Sequence, residues 1–407
     1  MNKNTQIKGC RSCGFKELVN ILSLGEQYLS DFLSTDKKPE KFPLDLVMCP
    51  KCDLLQLRNT VPQKFLYTPR YGYRSGINFT MKEELNKIAQ ASLKKINKDK
   101  KIVALDIGAN DGTLLGFYPK NTLKVAVEPI SKLALLSKKY ANIVVNDFFN
   151  FSAVKAKIKN LKVDIITAIS CFYDMEEPNK FISDAAKILS GDGVLVIQQN
   201  YLVGMLKNNA FDNIVHEHLE YYSLLSLENL LSRHGLEVFD VKQSAINGGS
   251  FITFIAFKNT RPIQKSVLDW RQSEKKLKLN KLKVYNDFAK RVKNNSHDIL
   301  NLITKLTKNK KTIYVYGAST RGNTLLQYYQ LNNKLIVAAV ERNPEKWGKK
   351  ISSLNIPIIS EQEARKQKPD YMLVLPWFFK KEFLQREKNY LTSGGHFIFP
   401  LPKIQII

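Results

Sequence analysis

The sequence lacks long apolar runs and is poor in acidic residues. No stretch of about 18 apolar residues occurs, so no membrane-spanning helix is predicted. The first residues, M-N-K-N-T-Q-I-K, contain no apolar core of a signal peptide, and we therefore expect a cytoplasmic protein. Lysine and arginine total 63 and aspartate and glutamate only 37, which gives a net charge of +26. Such a charge favours polyanionic partners, including nucleic acid, acidic lipid and nucleotide phosphates.

The motifs that mark nucleic-acid-binding proteins are also absent. We find no arginine-rich tail and no RNP-type motif, and the lysines are spread along the whole chain beside asparagine and isoleucine. We therefore expect no nucleic-acid partner and no membrane partner. A nucleic-acid-binding module remains the alternative that the charge supports. The length of 407 residues predicts two or three domains.

Cysteine is scarce, yet four of the five cysteines form two close pairs. Cys10 and Cys13 make one C-x2-C pair, and Cys49 and Cys52 make the other. Paired thiols in a chain without a signal peptide indicate zinc instead of disulfides, because each C-x2-C turn offers two thiolates to one ion. We predict a closed, structural Zn²⁺ site in an N-terminal module of residues 1–60.

Strands and helices alternate from residue 101 onward. Buried strands such as K-I-V-A-L-D-I-G and V-D-I-I-T-A-I-S are separated by helical segments, which predicts a parallel sheet covered on both faces. We expect L-D-L-V-M-C and L-L-Q-L to be short strands of the N-terminal module. An aromatic loop and a helix from Met81 to about Ile96 should follow over 61–100. We expect this sheet over 101–262, a charged helical linker over 263–310 and a second α/β unit over 311–407. The predicted fold class is α/β, with two Rossmann-like sheets behind a four-cysteine module.

A first glycine loop, G-A-N-D-G, joins a strand to a helix. Gly108 and Gly112 allow close approach of a ligand, but the middle glycine that admits a dinucleotide pyrophosphate is absent. Asp106 suits a sulfonium or ammonium group, Glu128 suits the hydroxyls of a ribose, and Asp147 suits an adenine amino group. This ordered set resembles the class I methyltransferases that use S-adenosylmethionine (SAM). NAD binding and a domain with no cofactor remain alternatives.

A second glycine loop, G-A-S-T-R-G-N-T, begins at Gly317. Asn323 stands where a P-loop has its lysine, so ATP hydrolysis is not expected. Arg321 suits a phosphate group, and Glu341, at the end of the following strand, suits a ribose. The alternative is a degenerate sheet that serves only as a lid.

The motifs as a set resemble one family, the nucleotide-sugar C-methyltransferases of deoxysugar biosynthesis. The resemblance covers about residues 8–400 and rests on the cysteine pairs, Y-R-S-G, L-D-I-G-A-N-D-G-T-L-L, V-H-E-H-L-E-Y-Y-S, I-N-G-G-S and G-A-S-T-R-G-N-T-L. Members methylate C3 of a 4-keto sugar carried on dTDP. The resemblance therefore implies SAM and structural Zn²⁺ as cofactors and a nucleotide sugar as substrate. We expect a monomer or a weak dimer.

The resemblance also implies roles for individual residues. His218 is the implied base that removes a proton from the carbon beside the ketone, with Glu217 as its neighbour. Tyr221, Tyr222, Tyr71 and Tyr73 are candidate donors to the enolate oxygen. The implied SAM-binding residues are Tyr73, Asn78, Asp106, Gly108, Asn110, Asp111, Gly112, Glu128 and Asp147. The implied substrate-binding residues are Tyr71, His216, Asn247, Gly317, Arg321, Asn323 and Glu341.

Several alternatives stay open at the level of sequence. His216 and His218 are two residues apart, which is not the H-E-x-x-H spacing of a helical zinc site. For His216, a purely structural role is the alternative to substrate binding. One alternative on the same fold is O-methylation, in which His218 would deprotonate a hydroxyl, and another is N-methylation. The chain could also be an RNA-binding methyltransferase or a nucleotide-sugar-binding protein without turnover. Val215 and Asn247 stand where family members often have tyrosine and histidine, so the sugar and its nucleotide are not assigned.

Overall fold

A computed structural model describes residues 5–35, 37–66, 73–97 and 101–407 of the chain. Tyr71, one of the predicted substrate-binding residues, lies outside these residues. The described residues form three β-sheets of four, seven and eight strands, which we call the N-terminal, central and C-terminal sheets. No helix in these four ranges combines the length and the apolar character that a bilayer crossing requires.

The N-terminal sheet lies around the cysteine pairs and has the strand order β1-β3-β4-β10. The elements of this part of the chain are β1 (Val19–Tyr28), β2 (Phe32–Leu33), β3 (Lys41–Met48), β4 (Leu55–Leu57), α1 (Gln63–Leu66) and α2 (Phe79–Leu93). The predicted strands L-D-L-V-M-C and L-L-Q-L correspond to β3 and β4, whereas β1 was not predicted. Pro43 lies inside β3, opposite Glu26 at an irregularity of the β1–β3 pairing, where a missing backbone N–H is tolerated.

The helix α2 begins earlier and ends earlier than the predicted range from Met81 to about Ile96. The Asn78 side-chain oxygen accepts a hydrogen bond from the Met81 amide at 3.2 Å, which fixes the first turn. Its buried face, which includes Leu85 and Ile88, packs on the central sheet beside the first glycine loop.

The central sheet has the order β11-β12-β9-β8-β5-β6-β7, with β12 antiparallel to its neighbours. Its elements, together with β10, are β5 (Val103–Ile107), α3 (Thr113–Gly116), β6 (Leu123–Val127), α4 (Ser131–Ser137), β7 (Ile143–Val145), α5 (Phe151–Ile158), β8 (Val163–Ile169), α6 (Pro178–Ile188), β9 (Leu189–Asn200), α7 (Leu202–Lys207), β10 (Glu220–Tyr221), α8 (Leu224–Ser232), β11 (Leu236–Ser244) and β12 (Ser250–Phe257). The chain leaves β5 towards β6 and returns on the other side as β8. This reversal opens a crevice at the carboxyl ends of β5 and β8, the usual position of a ligand in such sheets.

Two successive helices connect the central sheet to the C-terminal sheet. The first ends before Lys278, which has a left-handed backbone (φ 53°). The remaining elements are α9 (Lys265–Leu277), α10 (Leu282–Lys308), β13 (Ile313–Tyr316), α11 (Thr320–Tyr328), β14 (Ala339–Glu341), β15 (Lys350–Ile351), β16 (Ile356–Ser360), α12 (Glu361–Gln367), β17 (Tyr371–Val374), α13 (Lys380–Arg386), α14 (Lys388–Thr392), β18 (His396–Phe399) and β19 (Gln405–Ile406). The C-terminal sheet has the order β19-β18-β17-β13-β14-β16-β15-β2, so a strand from the N-terminal part of the chain forms one of its edges.

The segment that carries His218 joins these parts. We call residues 211–223 the histidine segment. Its strand β10 pairs with β4 and completes the N-terminal sheet. Phe211 and Tyr221, both buried, belong to one apolar core with side chains of β3, α10 and the C-terminal sheet. The histidine segment is therefore held from three sides.

Candidate active site

The four paired cysteines converge on one point. Their Sγ atoms all lie within 4.8 Å of one another, and the closest pairs, Cys10 with Cys52 and Cys13 with Cys49, are 3.5 Å apart. The turn after each pair is closed by a residue with a left-handed backbone, Gly14 in one and Asp53 in the other. Four convergent thiol sulfurs on two such turns are a donor set that fits a tetrahedral Zn²⁺ with no open position, which makes the site structural.

A cavity of about 850 Å³ lies at the carboxyl ends of the central strands. Of the predicted SAM-binding residues, those that line it are Tyr73, Asp106, Gly108, Asn110 and Glu128. Gly108 has φ 67°, and a Cβ at this position would lie 3.2 Å from the Cys171 sulfur. The backbone therefore forms a cradle that a side chain would fill, as expected for a loop that admits a ligand.

Two buried carboxylates shape the cofactor end of this cavity. Asp106 accepts a hydrogen bond from the Thr167 hydroxyl at 2.6 Å, and burial raises the pKa of Asp106 to about 7. Glu128 accepts backbone N–H groups from Asn110 and Ile130, both at 2.9 Å, while burial raises the pKa of its carboxyl. Each carboxylate keeps further lone pairs for a ligand. The loop, the carboxylates and the cavity fit SAM, whose sulfonium and ribose are groups that carboxylates bind well.

Other predicted cofactor residues lie near this site without lining the cavity. Asp111 accepts the Gly76 amide at 3.0 Å and the Thr113 hydroxyl at 2.6 Å, so it ties the glycine loop to the segment before α2. Gly112 (φ 79°) begins α3. Asn78 caps α2 at the surface.

Asp147 also differs from the expectation that it ends the third strand and reads an adenine. The strand β7 ends at Val145, and Asp147 is exposed, with its side chain accepting the Phe148 amide at 2.8 Å. The residues that line the cavity here are Phe148, Phe149 and Asn150. The structure therefore does not bring Asp147 to the cofactor cavity.

His218 is held by a backbone carbonyl. Its Nδ1 lies 2.9 Å from the Asn213 oxygen, and its ring meets the edge of Tyr173 with centroids 4.6 Å apart. Because a carbonyl only accepts, Nδ1 carries the proton and Nε2 is left with a lone pair. Burial, together with the nearby Arg321 guanidinium, lowers the pKa of His218 to about 3, so the ring is neutral at physiological pH.

The neighbours of His218 in the sequence have different environments. His216 is buried and its Nε2 lies 3.0 Å from the Phe42 carbonyl of β3, and burial lowers its pKa to about 4. This contact binds the histidine segment to the N-terminal sheet and does not present His216 to a substrate. Burial raises the pKa of Glu217 to about 7.

The two adjacent tyrosines lie in different environments: Tyr221 is the last residue of β10, and Tyr222 follows it. The Tyr221 hydroxyl donates to the Asn213 carbonyl at 3.3 Å, the same oxygen that holds His218. The Tyr222 hydroxyl instead lies 3.4 Å from the Glu220 carboxylate, and its ring stacks on Phe172 in the core. Tyr221, not Tyr222, is therefore the tyrosine next to the base candidate.

The predicted phosphate-binding residue Arg321 is engaged within the protein. Its Nε and Nη2 donate to Asp212 Oδ2 at 2.9 and 2.5 Å, and its Nη1 donates to the Asn247 carbonyl at 2.9 Å. Asn247 adopts a left-handed backbone (φ 60°), and its carbonyl is the group in contact. Neither residue is presented to a ligand in the way that the sequence suggested.

The second glycine loop is filled by a lysine. Lys346 Nζ donates to the Ala318 carbonyl at 2.6 Å and lies 3.8 Å from Glu341 Oε2 and 4.3 Å from the centre of the Phe32 ring. Glu341 also accepts the Ala318 amide at 3.0 Å. Glu341, the carboxylate predicted to bind a ribose, therefore already has the Lys346 ammonium group beside it.

Gly317 and Asn323 complete the second glycine loop. Gly317 has φ 96° and closely approaches Pro376, which explains the glycine by packing. The buried Asn323 accepts the Ser353 hydroxyl at 2.7 Å, which joins α11 to the segment after β15. Both residues have structural contacts that account for their presence.

Sequence reasoning missed several residues around His218. Asp212 and Asn213 look like an ordinary helix cap, but they form a 3-10 turn whose carbonyl and carboxylate bind His218 and Arg321. Tyr173 lies in S-C-F-Y-D-M-E-E-P, whose sequence gave no sign of a role. The partners of these residues are distant in sequence, so no local pattern could identify them.

Three protein-family models match successive parts of the chain. Residues 10–67 match a zinc binding domain, residues 78–241 match a methyltransferase domain, and residues 245–402 match a C-methyltransferase C-terminal domain. The C-methyltransferase NovU of Streptomyces niveus is 28% identical over 408 residues, which covers 98% of this chain and 97% of that protein.

Two further similarities are limited to part of the chain. A tRNA U34 carboxymethyltransferase of Campylobacter jejuni subsp. doylei is 26% identical over 153 residues, 33% of this chain and 50% of that protein. The crystal structure of magnesium protoporphyrin IX methyltransferase from Synechocystis PCC 6803 with bound SAM is 12% identical, covers 46% of this chain and 88% of that one, and has a TM-score of 0.34.

The fold, the first glycine loop and the family matches define a SAM-dependent methyltransferase with a class I, Rossmann-like sheet and a four-cysteine zinc module. More narrowly, the chain is similar over 98% of its length to a C-methyltransferase, and its matches to a zinc binding domain, a methyltransferase domain and a C-methyltransferase C-terminal domain follow one another. The predictions of the fold class, of a SAM-dependent enzyme and of both cofactors are thereby confirmed.

Proposed function

We propose that the chain transfers a methyl group from SAM to the carbon beside the ketone of a nucleotide-linked 4-keto sugar, with His218 as the base. Methylation at carbon is the activity in the name of the NovU relative, and the whole-length match supports the same reaction type here. A nucleotide sugar is the substrate that the motif set implies. The cavity volume of about 850 Å³ lies in the upper part of the usual range of about 300–1,000 Å³, which leaves space beside a cofactor for part of a second ligand.

The observation that carries this proposal is the contact between His218 Nδ1 and the Asn213 carbonyl, 2.9 Å long. It selects the tautomer with a free Nε2, which is the form that a general base needs before it takes a proton. The Tyr173 ring edge on His218 limits rotation of the imidazole.

The chemistry follows from the acidity of a carbon next to a ketone. His218 Nε2 takes the proton, the C–H electron pair forms the enolate, and the negative charge moves to the ketone oxygen. SAM, when bound, supplies an electrophilic methyl group on its sulfonium. The enolate carbon forms the new C–C bond as the methyl–sulfur bond breaks, and the proton leaves from His218. The Tyr221 hydroxyl donates its proton to the Asn213 carbonyl, so it supports the orientation of His218 and has no second proton for the enolate oxygen.

Solvent deuterium exchange tests the proposal. With a dTDP-linked 4-keto-6-deoxyhexose and no SAM, we expect deuterium to enter at C3 of the sugar, as measured by NMR or mass spectrometry. His218→Gln should abolish this exchange, whereas His297→Gln, at an exposed position on α10, should exchange at the wild-type rate.

The same experiment separates carbon from oxygen methylation. If a parallel reaction with SAM yields a methylated product although no sugar carbon exchanges its proton without SAM, the proposal is contradicted. Such a result would indicate that a hydroxyl is the acceptor. The position of the methyl group in the product, read from its ¹³C chemical shift, gives an independent answer.

A further inference from the structure

The second glycine loop is connected to the histidine segment by a buried ion pair. Arg321, on α11, places Nε and Nη2 on Asp212 Oδ2 at 2.9 and 2.5 Å. The Arg321 side chain is 15% exposed and the Asp212 side chain only 1% exposed. A pair this deeply buried has lost most of its hydration, so geometry is a better reason for its presence than stability.

Residues of the C-terminal part surround Asp212, although it belongs to the histidine segment. The Trp377 indole N–H donates to Asp212 Oδ2 at 3.2 Å, and the Arg321 guanidinium lies over the Phe378 ring at 4.7 Å. Arg321 also donates to the Asn247 carbonyl. One guanidinium therefore joins the 3-10 turn at Asp212 to the turn that carries Asn247.

The residue after Asp212 makes the contact that orients His218. The Asn213 carbonyl accepts the Nδ1 proton of His218 at 2.9 Å and the Tyr221 hydroxyl at 3.3 Å. The direction of this carbonyl depends on the 3-10 turn, in which the Asp212 side chain is anchored by Arg321 and Trp377 and the Phe211 ring packs on Tyr328 and Tyr329. A contiguous path of contacts runs from Arg321 through Asp212 to His218.

We propose that the Arg321–Asp212 pair is a positioning device that holds the Asn213 carbonyl against His218, and that Arg321 is not a ligand of the substrate phosphate. The idea rests on the proposed role of His218 as the base. It assigns to α11 of the C-terminal Rossmann-like part the task of positioning the base.

The test compares a variant without either charge with one in which a neutral acceptor replaces the carboxylate. Arg321→Met with Asp212→Asn removes both charges at similar volume, and Asp212→Asn alone keeps an acceptor for Arg321 and Trp377. The control is Arg342→Met, because Arg342 is an exposed arginine of the same part of the chain, 63% accessible, with a surface partner in Glu382.

Two kinetic readouts separate positioning from phosphate binding. In the double variant we expect C3 deuterium exchange at saturating substrate to fall at least about tenfold, since small misplacements of a catalytic group have large effects on rate. The Kd of dTDP should stay within about twofold of the wild-type value. Asp212→Asn should retain most of the rate, and Arg342→Met all of it. A large increase in the Kd of dTDP with an unchanged exchange rate would overturn the proposal.

A spectroscopic readout does not require the substrate. In protein with ¹⁵N-labelled histidine, the His218 signals, assigned from their loss in His218→Gln, should report a single Nδ1–H tautomer. The double variant should show a mixture of tautomers. If the tautomer stays pure, the positioning role is wrong. If the tautomer shifts as expected but His218→Gln still exchanges the C3 proton, the proposed base is wrong and the positioning of the ring by Arg321 stands.

Discussion

His216 and His218 show how much the role of a residue depends on its contacts. The two imidazoles are separated by one residue, yet His216 Nε2 binds the Phe42 carbonyl and His218 Nδ1 binds the Asn213 carbonyl. The second ring nitrogen is therefore Nδ1 in His216 and Nε2 in His218. The ring of His216 is surrounded by the N-terminal part of the chain, which includes an edge contact with Phe42. The proposed role of His218 as the base depends on the tautomer in which Nε2 is unprotonated.

The buried neutral His216 should make the protein sensitive to acid. Its pKa is about 4 in the folded chain and 6.5 in the unfolded reference, so between these pH values the unfolded chain binds a proton that the folded chain does not. The free energy of unfolding should fall with decreasing pH by up to about 1.4 kcal/mol per unit from this group. His216→Gln keeps a donor for the Phe42 carbonyl and does not titrate. Urea unfolding at several pH values should therefore show a smaller decrease for His216→Gln than for the wild type.

His297→Gln is the control for this measurement, since His297 is exposed and should leave the pH dependence unchanged. Identical pH dependences for His216→Gln and the wild type would contradict the assignment of a buried, neutral imidazole.

At the scale of elements, the first glycine loop depends on two glycines for different reasons. Gly108 faces the cavity, whereas Gly112 faces α4. A Cβ on Gly112 would lie 2.9 Å from the Ser137 Cα, and the backbone has φ 79°. Gly112→Ala should therefore destabilise the fold by about 1–3 kcal/mol through backbone strain and crowding. Differential scanning fluorimetry should show a lower Tm, and Gly191→Ala, where nothing lies within 4 Å, should melt like the wild type. A Tm for Gly112→Ala equal to that of Gly191→Ala would refute this account.

The cysteine turns form an element of their own. We expect about one Zn²⁺ per chain in the purified protein by inductively coupled plasma mass spectrometry, because four thiolates form a closed tetrahedral site. Cys49→Ser should lose most of this zinc, while Cys171→Ser, in the cofactor cavity, should retain it. Full zinc content in Cys49→Ser would show that the four cysteines are not the ligands.

Local patterns predicted those features whose cause is local. The C-x2-C turns, the first glycine loop and the alternation of strands and helices each depend on neighbouring residues. The pairing of Asp212 with Arg321 joins residues 109 positions apart, and β2 pairs with β15 across an even longer separation. Hydrophobic periodicity contains no information about such partners. Lys346 and Glu341 are close in sequence, but they meet through the 3-10 turn Pro344–Lys346 after β14, which periodicity does not describe, and Glu341 was assigned to a ribose.

The whole molecule depends on its N-terminal part more than three successive family matches suggest. The strand β2 extends the C-terminal sheet, β4 pairs with β10 of the histidine segment, and Gln327 of α11 exchanges two hydrogen bonds with the Tyr28 backbone, at 2.8 and 3.1 Å. Cys10, Cys49 and Cys52 share an apolar core with the central sheet. The N-terminal part therefore contacts both Rossmann-like sheets, and the integrity of its zinc site should affect both.

This coupling predicts a distant response to zinc removal. All three tryptophans, Trp270, Trp347 and Trp377, lie far beyond the cysteine module in sequence, and Trp377 is buried against Asp212. If the module holds the other parts together, a chelator should shift tryptophan emission to longer wavelength, and added Zn²⁺ should reverse the shift.

Cys49→Ser should show the shifted spectrum from the start and should not respond to the chelator. Loss of zinc with unchanged emission would mean that the module unfolds alone. Because Trp377, Arg321 and Asp212 form one contact group, a shift at Trp377 should be accompanied by loss of C3 proton exchange, which links zinc to the active site through the histidine segment.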